Sequence, residues 1–142
     1  MLEINRTEIE VRYKETDQMG VVHHSNYIVW FEVGRTKYMN QVGFNYAEME
    51  RDNLLCPVID IEISYKKPLT YGDTAMIETW LDNYDGIRIT YGYKIYNEKE
   101  DLCVRGKSRH VVVKKDNFRP VIIKKVNPTL DEAYKNLIIG ER

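Results

Sequence analysis

From Tyr13 to Arg35 the chain reads YKETDQMGVVHHSNYIVWFEVGR, which begins polar, passes an acid and a glycine, and turns into an aromatic-rich pattern. Carried past Arg35, the residues Tyr27, Ile28, Phe31, Tyr38, Met39 and Val42 recur at helical spacing. That period predicts one helix from Ser25 to about Val42, with Ser25 as N-cap and Gly43 as C-terminal stop. Trp30 and Val33 widen the apolar surface, so the helix is expected to be covered over much of its circumference. Gly34 inside it costs on the order of 1 kcal/mol against Ala, which points to close approach of another backbone.

After a short helical piece at Tyr46 to Arg51 the period changes from helix to strand. In PVIDIEISYKKP (57–68) Ile59, Ile61, Ile63 and Tyr65 alternate with Asp60, Glu62 and Ser64, the pattern of a half-buried strand ended by Pro68. DTAMIETWLDNYD (73–85) is a second strand, and the turn signal YDG leads into IRITYGYKIYN, where Ile87, Ile89, Tyr91, Tyr93 and Ile95 share one face. NEKED turns the chain into LCVRGKSRHVVVKK (102–115), and Pro128 opens a closing helix. With a first strand at Thr7 to Tyr13, hairpin-like links give an antiparallel sheet, and the helix stands apart from the strands. The fold class is α+β, a sheet curved around one long helix, in a single domain over residues 1–142.

Composition narrows the function. With 21 Lys+Arg against 22 Asp+Glu the formal charge is -1, which excludes a whole-surface attraction to nucleic acid or anionic membrane. MLEINRTEIEV carries acids where a signal peptide needs a basic start, and no run is long enough for membrane insertion, so a cytoplasmic protein is expected. Cys56 and Cys103, far apart in strand-like segments, read as reduced core thiols. His23 and His24 are adjacent and diverge, and His110 is distant, so no metal site is expected.

Asp17 precedes the helix by a few residues, and Gly20 permits the bend that would bring it near the helix end. The first N–H groups of a helix lack internal partners and carry partial positive charge, so they can hold an oxyanion beside the acid. Residues alone favour Asp17 as the cap of a turn, since Asp is a common turn residue, and leave the catalytic reading open. Glu32 is a rival base, or an ion-pair partner of Arg35 at i,i+3. Ser25 has no triad partners and reads as a cap.

VRYKETDQMGVVHHSNYIVWFEVGR (11–35), followed by ISYKKPLTYGD (63–73), resembles the 4-hydroxybenzoyl-CoA thioesterase family of hotdog-fold acyl-CoA thioesterases. The resemblance implies a hotdog fold, an antiparallel sheet wrapped around the central helix, and hydrolysis of an acyl-CoA without metal or organic cofactor. It implies that Asp17 is the catalytic carboxylate and that the His24 N–H polarises the thioester carbonyl. His23 and Gly34 depart from it, since the family commonly has an aromatic residue and an Ala there. A thioester expels a thiolate whose conjugate acid is near the Cys value of about 8.5, so no strong general acid is needed. Asp17 can then act as general base or as nucleophile.

The resemblance further implies a homodimer or homotetramer with the site at the subunit interface and the coenzyme A nucleotide held by basic side chains. Lys66, Lys67, Arg105 and Arg109 are the candidates for that contact, and Tyr27, Trp30 and Phe31 for lining the acyl group. The alternatives are an acyl-acyl carrier protein thioesterase and a non-catalytic acyl-CoA binding subunit. A hydratase fits the DQMGVVHH pattern less well.

Overall fold

The computed structural model describes residues 3–44 and 46–142. A five-stranded antiparallel sheet has the order β1-β4-β5-β6-β3, from β1 (Asn5–Glu10), β3 (Val58–Tyr65), β4 (Thr74–Tyr84), β5 (Arg88–Tyr96) and β6 (Leu102–Val111). The long helix α1 (Ser25–Val42) lies across β4, β1 and β5. Short elements complete the chain: α2 (Tyr46–Arg51), β2 (Leu54–Leu55) paired with β7 (Val113–Lys114), α3 (Ile123–Val126) and α4 (Pro128–Leu137). This is the sheet wrapped around a helix that the hotdog fold describes.

The helix follows the predicted period at Tyr27, Phe31, Tyr38 and Met39, whereas Ile28 and Val29 are exposed and Val42 is partly covered, so it is covered along one face rather than over much of its circumference. Tyr27, Trp30, Phe31, Gly34, Tyr38 and Met39 are its buried positions, and it ends at Gly43 with φ +88°. The sheet answers with Ile77 and Leu81 of β4 and with Ile89, Tyr91, Tyr93 and Ile95 of β5, all buried. Two glycines set how closely the layers meet. A Cβ on Gly34 would lie 2.5 Å from Thr79 Oγ1 and 2.9 Å from Ile77 Cγ2, so the close neighbours are β4 side chains rather than the expected backbone. A Cβ on Gly106 would lie 2.6 Å from the Phe31 ring, which stacks on Tyr93 at 4.2 Å.

Three further expectations change. The first strand ends at Glu10 rather than Tyr13, because the Arg12 N–H is taken by the Glu15 carboxylate at 2.9 Å and Tyr13–Glu15 form one 3-10 turn. The N-cap of α1 is His24 and not Ser25, whose hydroxyl and N–H instead meet Nδ1 of His23 at 2.8 and 3.3 Å. The alternation in β3 is not half-buried throughout: Ile61 and Ile63 are partly covered, while Ile59 and Tyr65 are about half exposed (51% and 48%). The reason is topological, since β3 is an edge strand bonded only to β6 and lies outside the strands that α1 covers.

Candidate active site

The loop between β1 and α1 is built as a tight turn. Thr16 and Val22 face each other in a β-bridge, the Asp17 N–H donates to the Val21 carbonyl at 2.9 Å, and the Gly20 N–H donates to the Asp17 carbonyl at 2.9 Å. Gly20 sits at φ +81°, a conformation that costs glycine little. Within the turn Asp17 Oδ1 accepts the Met19 N–H at 2.8 Å, and Oδ2 has no partner among the described residues. One oxygen therefore holds the turn and the other remains for chemistry.

The chain then enters α1. The Asn26 and Tyr27 N–H groups are turned back onto the His23 and His24 carbonyls at 3.0 and 3.3 Å. The His24 N–H has no acceptor among the described residues, the condition of a helix N-terminus able to bind an anion.

Asp17, His24 and Tyr27 line one groove of about 330 Å3, together with Met19, Val21 and Val22 of the turn and Tyr65, Lys66, Lys67 and Pro68 at the end of β3. The Tyr27 ring lies 5.7 Å from that of Tyr65, and the His24 ring lies 6.4 Å from it, edge-on. Burial, above all, raises the Tyr27 hydroxyl's pKa, so it stays protonated. The Lys66 and Lys67 N–H groups both donate to the Cys103 carbonyl, which fixes this end of the groove to β6. Lys67 is paired with Asp101 at 3.2 Å, whereas Lys66 has no ion pair among the described residues.

The other sequence-predicted residues lie elsewhere. Trp30 is buried and donates its indole N–H to Glu15 at 2.8 Å, and Phe31 is pressed between α1 and the sheet, so neither lines the groove. Arg105 meets Glu141 and the Arg142 carbonyl, and Arg109 is paired with Asp60 at 3.0 Å and with Glu62. The cross-strand register explains the placement of Arg109, which stands opposite Asp60 of β3, whereas Arg105 stands opposite Ser64 and meets the C-terminal segment. Glu32 is exposed on α1 and Arg35 donates to the Tyr93 hydroxyl at 3.1 Å. Sequence reasoning missed Tyr65 as a groove residue and Glu15 as a buried carboxylate. Glu15 three residues after Arg12 is the spacing of a capping box, the one signal that could have found it.

A carboxylate with a free oxygen and an unpartnered N–H at a helix N-terminus, in one groove with a basic mouth, can activate water and stabilise an oxyanion. The geometry suits acyl transfer.

Comparison with known proteins agrees. A family model described as the Thioesterase-like superfamily matches residues 11–133. YneP of Bacillus subtilis (strain 168), provisionally named an acyl-CoA thioesterase, is 48% identical over 134 residues, 94% of this chain and 97% of its own. The crystal structure of DHNA-CoA thioesterase from Staphylococcus aureus matches with a TM-score of 0.89 at 40% identity, covering 94% of this chain and 90% of that one. A chloroplastic acyl-acyl carrier protein thioesterase of Arabidopsis thaliana, ATL3, is 28% identical over 127 residues, 87% of this chain and 65% of its own.

Proposed function

The chain belongs to the thioesterase-like superfamily, and from that membership we propose that it hydrolyses an acyl-CoA thioester, with water, to a carboxylate and free CoA thiol. One observation carries the reading: Asp17, the N-terminus of α1 and two lysines share a single groove. Asp17 takes the proton of the attacking water, or attacks the carbonyl carbon itself, and either role uses the free Oδ2. The His24 N–H receives the charge that develops on the thioester oxygen. The narrower likeness of residues 11–35 to the 4-hydroxybenzoyl-CoA thioesterases supports these two roles. The chemistry needs substrate and water only, and a cytoplasmic setting suits the two free thiols.

The acyl group in this proposal is aromatic. Two rings, Tyr27 and Tyr65, stand side by side in the groove, a surface that favours a flat group over a flexible chain. Lys66 and Lys67 at the mouth meet the anionic nucleotide. The test is thiol release from a panel of short, long and aromatic acyl-CoAs, DHNA-CoA among them. Turnover greatest with an aromatic acyl-CoA supports the proposal, and release from none of them contradicts it. The unpaired Lys66 favours a second reading, hydrolysis of acyl groups on an acidic carrier protein. That reading predicts turnover of acyl carrier protein thioesters that weakens steeply with salt. Acyl-CoA binding without any turnover would instead indicate a binding subunit.

The proposal includes a homodimer, or a homotetramer of such dimers, with β3 as the seam. This edge strand leaves Val58, Ile59 and Tyr65 uncovered, and Tyr65 also lines the groove, so a second copy there would close the site. Light scattering is expected to show at least a dimer for the wild type and a monomer for Ile59→Lys. A monomeric wild type would contradict the seam.

A further inference from the structure

Glu15 is a carboxylate with only 2% of its surface exposed, two residues before Asp17. Burying an ionised carboxylate is unfavourable unless its oxygens are well satisfied. Here they are: Oε1 accepts the Arg12 N–H at 2.9 Å, Oε2 accepts the Trp30 indole N–H at 2.8 Å, and the Arg12 guanidinium lies beside both oxygens at 3.4 Å. The backbone of the same residue reaches the other way, its carbonyl accepting the His23 N–H at 2.8 Å and the Asn26 side-chain amide at 2.9 Å. The contacts fall on the residue before His24 and on the first two turns of α1.

We propose that Glu15 is a positioning residue that sets the Asp17 turn against the N-terminus of α1, holding the carboxylate and the His24 N–H in register. The inference rests on the roles given above to Asp17 and His24. The physical reason is that the turn and the helix end are joined locally by few other ties: the Thr16–Val22 bridge orders the turn internally, and Val21 is bridged to Thr70, but neither contact grips α1. The link from this loop to the helix runs through the Glu15 carboxylate to Trp30 and through its carbonyl to His23 and Asn26. Burial pushes the Glu15 pKa up, and the hydrogen bonds from Arg12 and Trp30 outweigh it, so the group is charged through the neutral range. A carboxylate that donates no proton and touches no groove is thereby kept in the interior as a fixed acceptor.

The test is steady-state thiol release by Glu15→Gln, Glu15→Ala and Trp30→Phe, on the acyl-CoA the wild type turns over best, per folded molecule and well below each Tm. Trp30→Phe removes one N–H donor while leaving the Glu15 charge with Arg12, so it decides the matter if the Glu15 variants do not fold. Misplacement of reacting groups by about an ångström can cost on the order of 100-fold, so kcat is expected to fall about 10-fold or more in the Glu15 variants and about 3-fold in Trp30→Phe. KM is expected to stay within about twofold, because Glu15 is outside the groove. A purely structural role would lower Tm and leave kcat per folded molecule unchanged, and that result overturns the inference. Asp17→Asn, run in the same series, separates the two levels. If it is inactive while the Glu15 and Trp30 variants are fully active, the Glu15 inference alone fails; if it is as active as the wild type, the reading of the site fails and takes the inference with it.

Discussion

Acidification is expected to destabilise this protein through one side chain, His110. The imidazole is buried on β6 with 1% of its surface exposed, its Nε2 2.7 Å from Ser108 Oγ and its ring edge-on to Tyr91 at 5.3 Å. Burial first, and then the positive charge of Arg35, push its pKa from the ordinary 6.5 down to about 3. In the unfolded chain the same group takes up a proton near its ordinary value, so the folded state binds fewer protons between the two. The contribution to stability is therefore intact above the ordinary value and is lost as pH falls from there towards the folded value. At about pH 5, some one and a half units below the ordinary value, the loss is about 2 kcal/mol at roughly 1.4 kcal/mol per unit. For a chain of this size that corresponds to a fall in Tm of about 4–8 °C. Urea unfolding of the wild type and of His110→Gln, from about pH 7.5 to about pH 5, measures the effect, since Gln can keep the bond to Ser108 without titrating. Carboxylates such as Glu15, whose lowered pKa matters only at lower pH, are common to both proteins and cancel in the difference. The wild type should lose about 2 kcal/mol more than the variant over this range; parallel pH profiles would refute the reasoning.

Further outcomes follow from contacts already described. Gly106→Ala would set a Cβ 2.6 Å from the Phe31 ring and 2.8 Å from the Glu62 carbonyl, so a loss of about 1–3 kcal/mol is expected by urea unfolding, and an unchanged midpoint would contradict the packing. Lys66→Glu is expected to raise KM about 5-fold at low ionic strength, an effect of about 1 kcal/mol that salt suppresses, with kcat little changed. Lys67→Glu should do less, because Lys67 is already paired with Asp101. Equal effects of the two reversals would remove the distinction.

Much of the fold is legible in the chain because its periods are clean. The positions from Tyr27 to Met39 mark one helix face, Gly43 marks its end, and Ile89 to Ile95 mark the buried face of the middle strand. What stays hidden depends on neighbours. Alternation in β3 shows which residues share a face but not that the strand lies at an edge, so Ile59 and Tyr65 read as part of a covered face and are about half exposed. At the site, Asp17 and His24 lie on one short stretch of sequence, and Lys66 and Lys67 join them only because the end of β3 is bonded to Cys103 of β6. Tyr27 reaches the groove because it stands at the helix end, whereas Trp30 and Phe31, one turn on, are covered by Glu15 and Tyr93. Arg105 and Arg109 look available until register sets Arg109 opposite Asp60 and folding brings Glu141 to Arg105. Glu15 carries no period at all; the buried indole that holds its carboxylate, Trp30, is fifteen residues away.

The most direct test of the account is the rate of thiol release by the wild type against Asp17→Asn, with folding of the variant verified. The substitution keeps the shape of the side chain and its acceptor for the Met19 N–H while removing the charge needed by either a base or a nucleophile. Loss of a positioned acid–base group is expected to lower kcat by on the order of 100-fold or more. A folded Asp17→Asn that releases thiol as fast as the wild type would mean that Asp17 only holds its turn, and would contradict the account.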